Sequence, residues 1–188
     1  MTFRAVALAV IVGFMLAEAR VSRDHTRRLR AAGAIEPPGD AYRALAILYP
    51  AAFVLMGLEG IWHAMDEAAS SPTGRPSWAA SGVLLFAASK ALKYWAIRAL
   101  GVRWSFRVMV VPGAPLIDQG PYRYAAHPNY IAVVGELVGA AMMMEARVLG
   151  PIMIAAFGLA LWARVRFESR VLAPLRRGRS SSVLGGHY

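Results

Sequence analysis

Three tyrosines, a histidine, an asparagine and an arginine fall within one short stretch, Gly120-Pro121-Tyr122-Arg123-Tyr124-Ala125-Ala126-His127-Pro128-Asn129-Tyr130, wedged between two long apolar segments. Pro128 can open a helix, because the N–H it lacks is one that a helix start leaves unpaired and its φ is preset. His127 then takes the cap position, with the free N–H groups of the next turn around it. Such a start favours an anionic ligand group. The same residues equally suit a structural cap and loop, and the stretch alone does not choose between them.

The elements around it are those of an integral membrane protein. Of 188 residues, 57% are hydrophobic and 17% charged, with mean hydropathy +0.44. Several apolar runs approach the length that crosses a bilayer. A net charge of +10 is a feature shared with nucleic-acid binders. The arginines instead cluster at the ends of apolar runs, so no nucleic-acid partner is expected. With no cysteine, disulfides, thiolate metal sites and thiol nucleophiles are excluded. His25, His63, His127 and His187 show no metal-ligand spacing, and no metal is expected.

Five transmembrane helices are expected, at about 3–17, 43–64, 77–100, 128–144 and 148–165, in an all-α membrane domain covering 1–175. Ala17-Glu18-Ala19 resembles a signal-peptide cleavage site. The arginines that follow, Arg20, Arg23, Arg27, Arg28 and Arg30, oppose export, so the first run is read as a retained span. Residues 18–42 read as a polar loop with a helix-like first half, broken at Gly33 and Pro37-Pro38-Gly39. Residues 65–76 read as a short loop with a Ser-Pro-Thr-Gly turn. Residues 102–127 read as an extended and turn segment, with partial alternation from Arg103 to Val111. The basic, Ser/Gly-rich tail 176–188 reads as disordered.

Alternating spans put sixteen basic residues on one side and three on the other. The positive-inside rule then sets the N-terminus outside and the C-terminus in the cytoplasm, with the 120–130 stretch cytoplasmic as well. The expected location is the cytoplasmic membrane, crossed several times.

Ionisable residues at membrane depth need a partner or a cavity. Glu136 lies about 12 Å into the fourth span and Lys90 about 20 Å into the third from the opposite side, at 1.5 Å per residue. In a hydrocarbon core of about 30 Å these depths nearly coincide. A Lys90–Glu136 pair is therefore expected, with Lys93 as the competing partner. Gly135 and Gly139 form a GxxxG in the fourth span, read as packing within the bundle.

Gly120-Pro121-Tyr122-Arg123 followed by His127-Pro128-Asn129-Tyr130 and a span resembles the isoprenylcysteine carboxyl methyltransferase family, whose pattern is G-x-Y-x-x-x-R-H-P-x-Y. Arg164-Val165-Arg166-Phe167-Glu168-Ser169-Arg170-Val171-Leu172 looks like that family's R-x-x-x-E-E-x-x-L at the end of the last span. Tyr94 to Gly101 and Val111-Pro112-Gly113 look like a bacterial branch that often accompanies type III polyketide synthases. The resemblance covers roughly residues 15–172. It implies an S-adenosylmethionine-dependent O-methyltransferase acting on a lipidic acceptor that enters from the bilayer. Carried over, Tyr122, His127, Pro128, Tyr130 and Glu168 would bind S-adenosylmethionine, and Arg164 would lie near the acceptor. Ala126 stands where the family has arginine, and Ser169 where it has a second acid. The family's longer C-terminal extension is not evident.

A carboxylate acceptor needs no base, only desolvation and alignment. A phenol or enol gains from one, and His127 is the best-placed candidate, so His127 and Arg164 are the expected catalytic residues. Glu168 could hold the cofactor's ammonium or ribose hydroxyls, and Arg164 could orient an anionic acceptor. Loss of the arginine at Ala126 points to a neutral or phenolic acceptor, such as an alkylpyrone or alkylresorcinol. The alternatives are methylation of a prenylcysteine carboxyl or a phospholipid, an NADPH-dependent membrane reductase, and a non-catalytic membrane scaffold. Apart from the roles that resemblance assigns them, Arg164, Arg166 and Arg170 suit the cytoplasmic edge of a span.

Overall fold

The computed structural model describes residues 2–69, 78–115 and 117–184, with side chains for all of these except 67–69 and 172–184. Five α-helices follow one another: α1 Thr2–Ala31, α2 Tyr42–Ala69, α3 Ala79–Leu100, α4 Pro128–Met144 and α5 Leu149–Leu184. Each overlaps one of the five expected spans. Three are long and apolar enough to cross a membrane, over Thr2–Ala31, Tyr42–Asp66 and Leu149–Val171, while α4 is apolar but shorter. The Ser-Pro-Thr-Gly turn and residues 185–188 lie outside the described residues.

The first helix does not stop at residue 17. No proline or glycine occurs from Phe14 to Ala32, and the sequence there is rich in Ala and Arg, which favour helix. The density of charge suggested a loop, but charge does not break a helix. Gly33 does, at φ +79°. Its N–H donates to Arg30 O (3.0 Å) and the Ala34 N–H to Leu29 O (2.9 Å), the double bond of a Schellman ending. The last helix also overruns its expected end and stays helical through Leu184, into the segment expected to be disordered.

Residues 102–127 are not a strand. Among the described residues the only β pairing is an isolated antiparallel bridge between Ile35 and Val110. Two short 3-10 turns, Gly101–Arg103 and Gly120–Arg123, flank an irregular path. That path is held by donors and acceptors on several elements. Phe106 N–H donates to Ser22 Oγ (2.8 Å), Val108 N–H to Asp40 Oδ2 (3.3 Å), and His25 Nδ1 lies 2.8 Å from Trp104 O. Arg107 pairs with Glu36, which Arg30 also contacts at 2.8 Å. Burial would raise the Glu36 carboxyl, but the bonds from Arg107 and Arg30 outweigh it and hold it below the usual range.

Helix α4 is central. Leu137, Glu136 and Met144 are fully buried, with Phe53 and Met56 of α2, Ile11 of α1, Phe86 of α3 and Phe157 of α5 around them. Helices α3 and α4 touch backbone to backbone. A Cβ on Gly82 would lie 2.5 Å from Met143 N, and one on Gly139 would lie 2.7 Å from Phe86 N. The GxxxG glycine thus serves packing inside the bundle. Gly139→Val should destabilise the protein by at least about 1–3 kcal/mol, because neither obstructing atom is a movable side-chain end. A thermal scan in detergent tests this, and a midpoint equal to the parent's would refute it.

Candidate functional site

The start of α4 and the middle of α5 meet at three side chains. Tyr130, one turn into α4, donates its hydroxyl hydrogen to Glu168 Oε2 and accepts from Arg164 Nε at 3.0 Å. Arg164 and Glu168 stand four residues apart on α5, so they share a face and both reach Tyr130. Arg164 is 5% exposed. Its Nη2 also donates to Phe106 O (2.5 Å) and lies 3.5 Å from Asp40 Oδ2. One guanidinium therefore ties α5 to α4, to the 101–127 crossing and to the α1–α2 connection.

His127 occupies the N-cap position and Pro128 the first helical position, where the sequence put them. The His127 side chain makes no capping bond, however. Its ring stacks on Tyr130, with centroids 5.3 Å apart and planes 15° from parallel. Its Nδ1 lies 3.8 Å from Glu168 Oε2. Pro128 is fully buried and acts through backbone shape alone. Tyr122, in the 3-10 turn Gly120–Arg123, is half-buried, and burial together with the Glu168 charge pushes its phenol up. Tyr130, His127 and Tyr122 thus stand in contact with or within electrostatic reach of Glu168, Arg164 joins them through Tyr130, and Pro128 shapes the turn that delivers them.

Glu168 is the natural hub for cationic or donor groups. Its side chain keeps 22% exposure and His127 keeps 19%, so both still present surface to a ligand. The donor set suits S-adenosylmethionine: a carboxylate for an ammonium or ribose hydroxyls, and stacked rings beside it. Arg164 Nε and Nη2 are engaged by protein oxygens.

Asp40 was not singled out. Its side chain is 5% exposed, Oδ2 faces Arg164 and Val108 N–H, and Oδ1 is buried with no hydrogen-bond partner. Nothing in the Pro37-Pro38-Gly39-Asp40 turn distinguishes it from an ordinary turn acid; only the fold brings it against α5.

Deeper in the bundle lies a second set of charges. Lys90 reaches Glu18 at 2.6 Å and Glu136 at 3.3 Å, and Lys93 reaches both at 2.9 Å. Tyr49 donates to Glu136 and accepts from Lys93 at 3.0 Å. The expected Lys90–Glu136 pair is present, and Lys93 joins it rather than competing. Glu18 was missed because its neighbours read as a cleavage site and a loop. The depth rule that matched Lys90 to Glu136 would have found it, had α1 been followed past Ala17.

Among known proteins, the model of the isoprenylcysteine carboxyl methyltransferase (ICMT) family matches residues 82–174. That span takes in most of α3, the crossing, α4 and the part of α5 bearing Arg164 and Glu168. No solved structure matches the chain. The chain is 26% identical over 165 residues to the protein named "Uncharacterized protein YpbQ" of Bacillus subtilis (strain 168), covering 88% of this chain and 94% of that one. The comparisons place the site-bearing half of this helical, apolar chain alongside the ICMT family, with the Tyr130, Arg164 and Glu168 constellation inside the matched region.

Proposed function

We propose that the chain is an S-adenosylmethionine-dependent O-methyltransferase with five membrane-crossing helices. Its site faces the cytoplasm where α4 begins and α5 leaves the bilayer, and its acceptor is a lipid-like hydroxyl compound such as an alkylpyrone or alkylresorcinol. The observation that carries this reading is the Tyr130–Glu168–Arg164 contact, which joins the two motifs of the family-matched region into one site. Crossing by α3, despite Lys90, Lys93 and Arg98, is supported by the neutralisation of both lysines by Glu18 and Glu136.

When bound, the cofactor supplies an electrophilic methyl on a sulfonium, which an acceptor oxygen displaces in line. Glu168 holds the cofactor's ammonium or ribose hydroxyls. His127 and Tyr130, stacked together, wall that side, and Tyr122 closes it from the 3-10 turn. Arg164 fixes Tyr130 and the crossing, so the site is preorganised before ligands arrive. Arg164 Nε and Nη2 are engaged by protein oxygens, and Ala126 offers no cation. That favours a neutral hydroxyl over the carboxyl of a prenylcysteine.

Calorimetry in detergent should detect S-adenosylmethionine binding. Glu168→Gln should weaken it by about 1.5–3 kcal/mol, the range for a charge-assisted hydrogen bond. His127→Ala should weaken it less. Absence of affinity in the parent would overturn the proposal, and binding of NADPH instead would favour a reductase. In a methylation assay, preference for prenylcysteine over alkylpyrone-type acceptors would overturn the acceptor assignment.

A further inference from the structure

We infer that Asp40 is the proton acceptor for the substrate's hydroxyl, an inference that rests on the methyltransferase reading above. Asp40 is almost wholly buried, and its two oxygens are in different situations. Oδ2 is occupied by the Val108 N–H at 3.3 Å and faces Arg164 at 3.5 Å. Oδ1 is shut off from solvent and has no partner at all. A buried carboxylate oxygen without a donor is costly, so such atoms are rare in folded proteins unless a ligand or a reaction uses them.

The oxygen is an acceptor, and what it lacks is a hydrogen. A hydroxyl supplies one; a carboxylate acceptor would bring a second negative charge to the same place. Position supports the assignment. Asp40 faces Arg164 Nη2 at 3.5 Å, while Arg164 Nε donates to Tyr130, whose hydroxyl leads to Glu168 and His127. The two carboxylates thus meet different nitrogens of one guanidinium, Asp40 at Nη2 and Glu168 through Tyr130 at Nε. His127, the base expected from sequence, has its ring stacked on Tyr130 and its Nδ1 turned to Glu168.

In the step, the hydroxyl oxygen forms a bond to the methyl carbon while the carbon–sulfur bond breaks and its electron pair stays on sulfur. The O–H proton passes to Asp40 Oδ1. The sulfonium charge is discharged and the carboxylate becomes a carboxylic acid, so charge and atoms balance. The proton later leaves to water. Charged groups facing Asp40 are Arg164 of α5 and Arg107 of the crossing, the latter paired with Glu36 and lying over the Tyr42 ring.

The test uses the full chain in detergent. Asp40→Asn should bind S-adenosylmethionine as the parent does, while methyl transfer to an alkylresorcinol at neutral pH falls on the order of 100-fold. The deficit should shrink as pH rises through the acceptor's own ionisation, or when a nitro group makes the phenol more acidic, since a phenolate needs no base. If Asp40→Asn fails to fold, Asp40→Ser with added formate replaces it, and recovery of rate with formate is expected. A loss that is equal at every pH and for every acceptor, or no loss, overturns the inference. So does the pH-dependent rescue appearing in His127→Gln rather than at Asp40. Failure of the parent to bind S-adenosylmethionine is a different result, which overturns the methyltransferase reading and this inference with it.

Discussion

Glu18→Gln should lower the stability of the protein by about 3–5 kcal/mol, because it leaves a buried positive charge without its counter-charge. Glu18, Lys90, Lys93 and Glu136 are 2%, 6%, 2% and 0% exposed, and they come from α1, α3, α3 and α4. Two carboxylates balance two ammonium groups in an apolar bundle. Neutralising either acid breaks the balance, and no other acid is close enough to replace it among the contacts of either lysine. Restoring the balance should recover much of the loss. Glu18→Gln combined with Lys90→Met should cost less than the two changes added, because Lys90 lies only 2.6 Å from Glu18. Lys90→Met with Glu136→Gln should show the same sign with a smaller coupling, since that pair is 3.3 Å apart. Thermal scans of the three single variants and both doubles measure this. A Glu18→Gln protein melting with the parent would show that α1 is held by its apolar contacts alone.

How much of this could be read from sequence depends on which force set each feature. Helix positions followed from apolar runs, because burial in a bilayer demands long apolar segments. Helix ends did not. The helix-like half of the 18–42 segment reads as part of a loop separate from the first span, whereas α1 runs through it unbroken until a glycine permits the left-handed turn at Gly33. The Lys90–Glu136 contact was legible because membrane depth is a one-dimensional quantity that residue counting recovers. His127 at the cap and Pro128 after it were legible for local reasons, since proline's stereochemistry acts within one turn. Asp40 and Tyr49 were not. Their roles arise from contacts 68 and 87 residues away in sequence, at Val108 and Glu136, that no local pattern encodes. The crossing from 102 to 127 shows the same limit: alternation suggested a strand, but without a neighbouring strand there is no ladder to form. Its polar backbone groups instead find Ser22, Asp40 and Arg164.

Arg164→Lys should reduce methyl transfer by roughly 30- to 150-fold, equivalent to about 2–3 kcal/mol, even though it keeps the positive charge. Arg164 uses two different nitrogens on partners in three elements: Nε on the Tyr130 hydroxyl at 3.0 Å, and Nη2 on Phe106 O at 2.5 Å and near Asp40 at 3.5 Å. A planar fork can serve these directions together; a single ammonium cannot. The lysine should stay near Asp40, where its charge is most needed, and release Tyr130 and the Phe106 carbonyl. Loss of the Tyr130 bond should loosen the Tyr130–Glu168 contact, so cofactor affinity should weaken along with turnover. Tyr130→Phe should reproduce part of the deficit, and adding it to Arg164→Lys should cost little more, because the first change has already broken the shared bond. Arg164→Ala should be worse in a distinct way: it strands the buried Asp40 carboxylate and lowers the melting temperature as well as the rate. Turnover of Arg164→Lys within about threefold of the parent, under half the ~1.4 kcal/mol that a tenfold change represents, would mean the charge alone matters and the fork geometry does not.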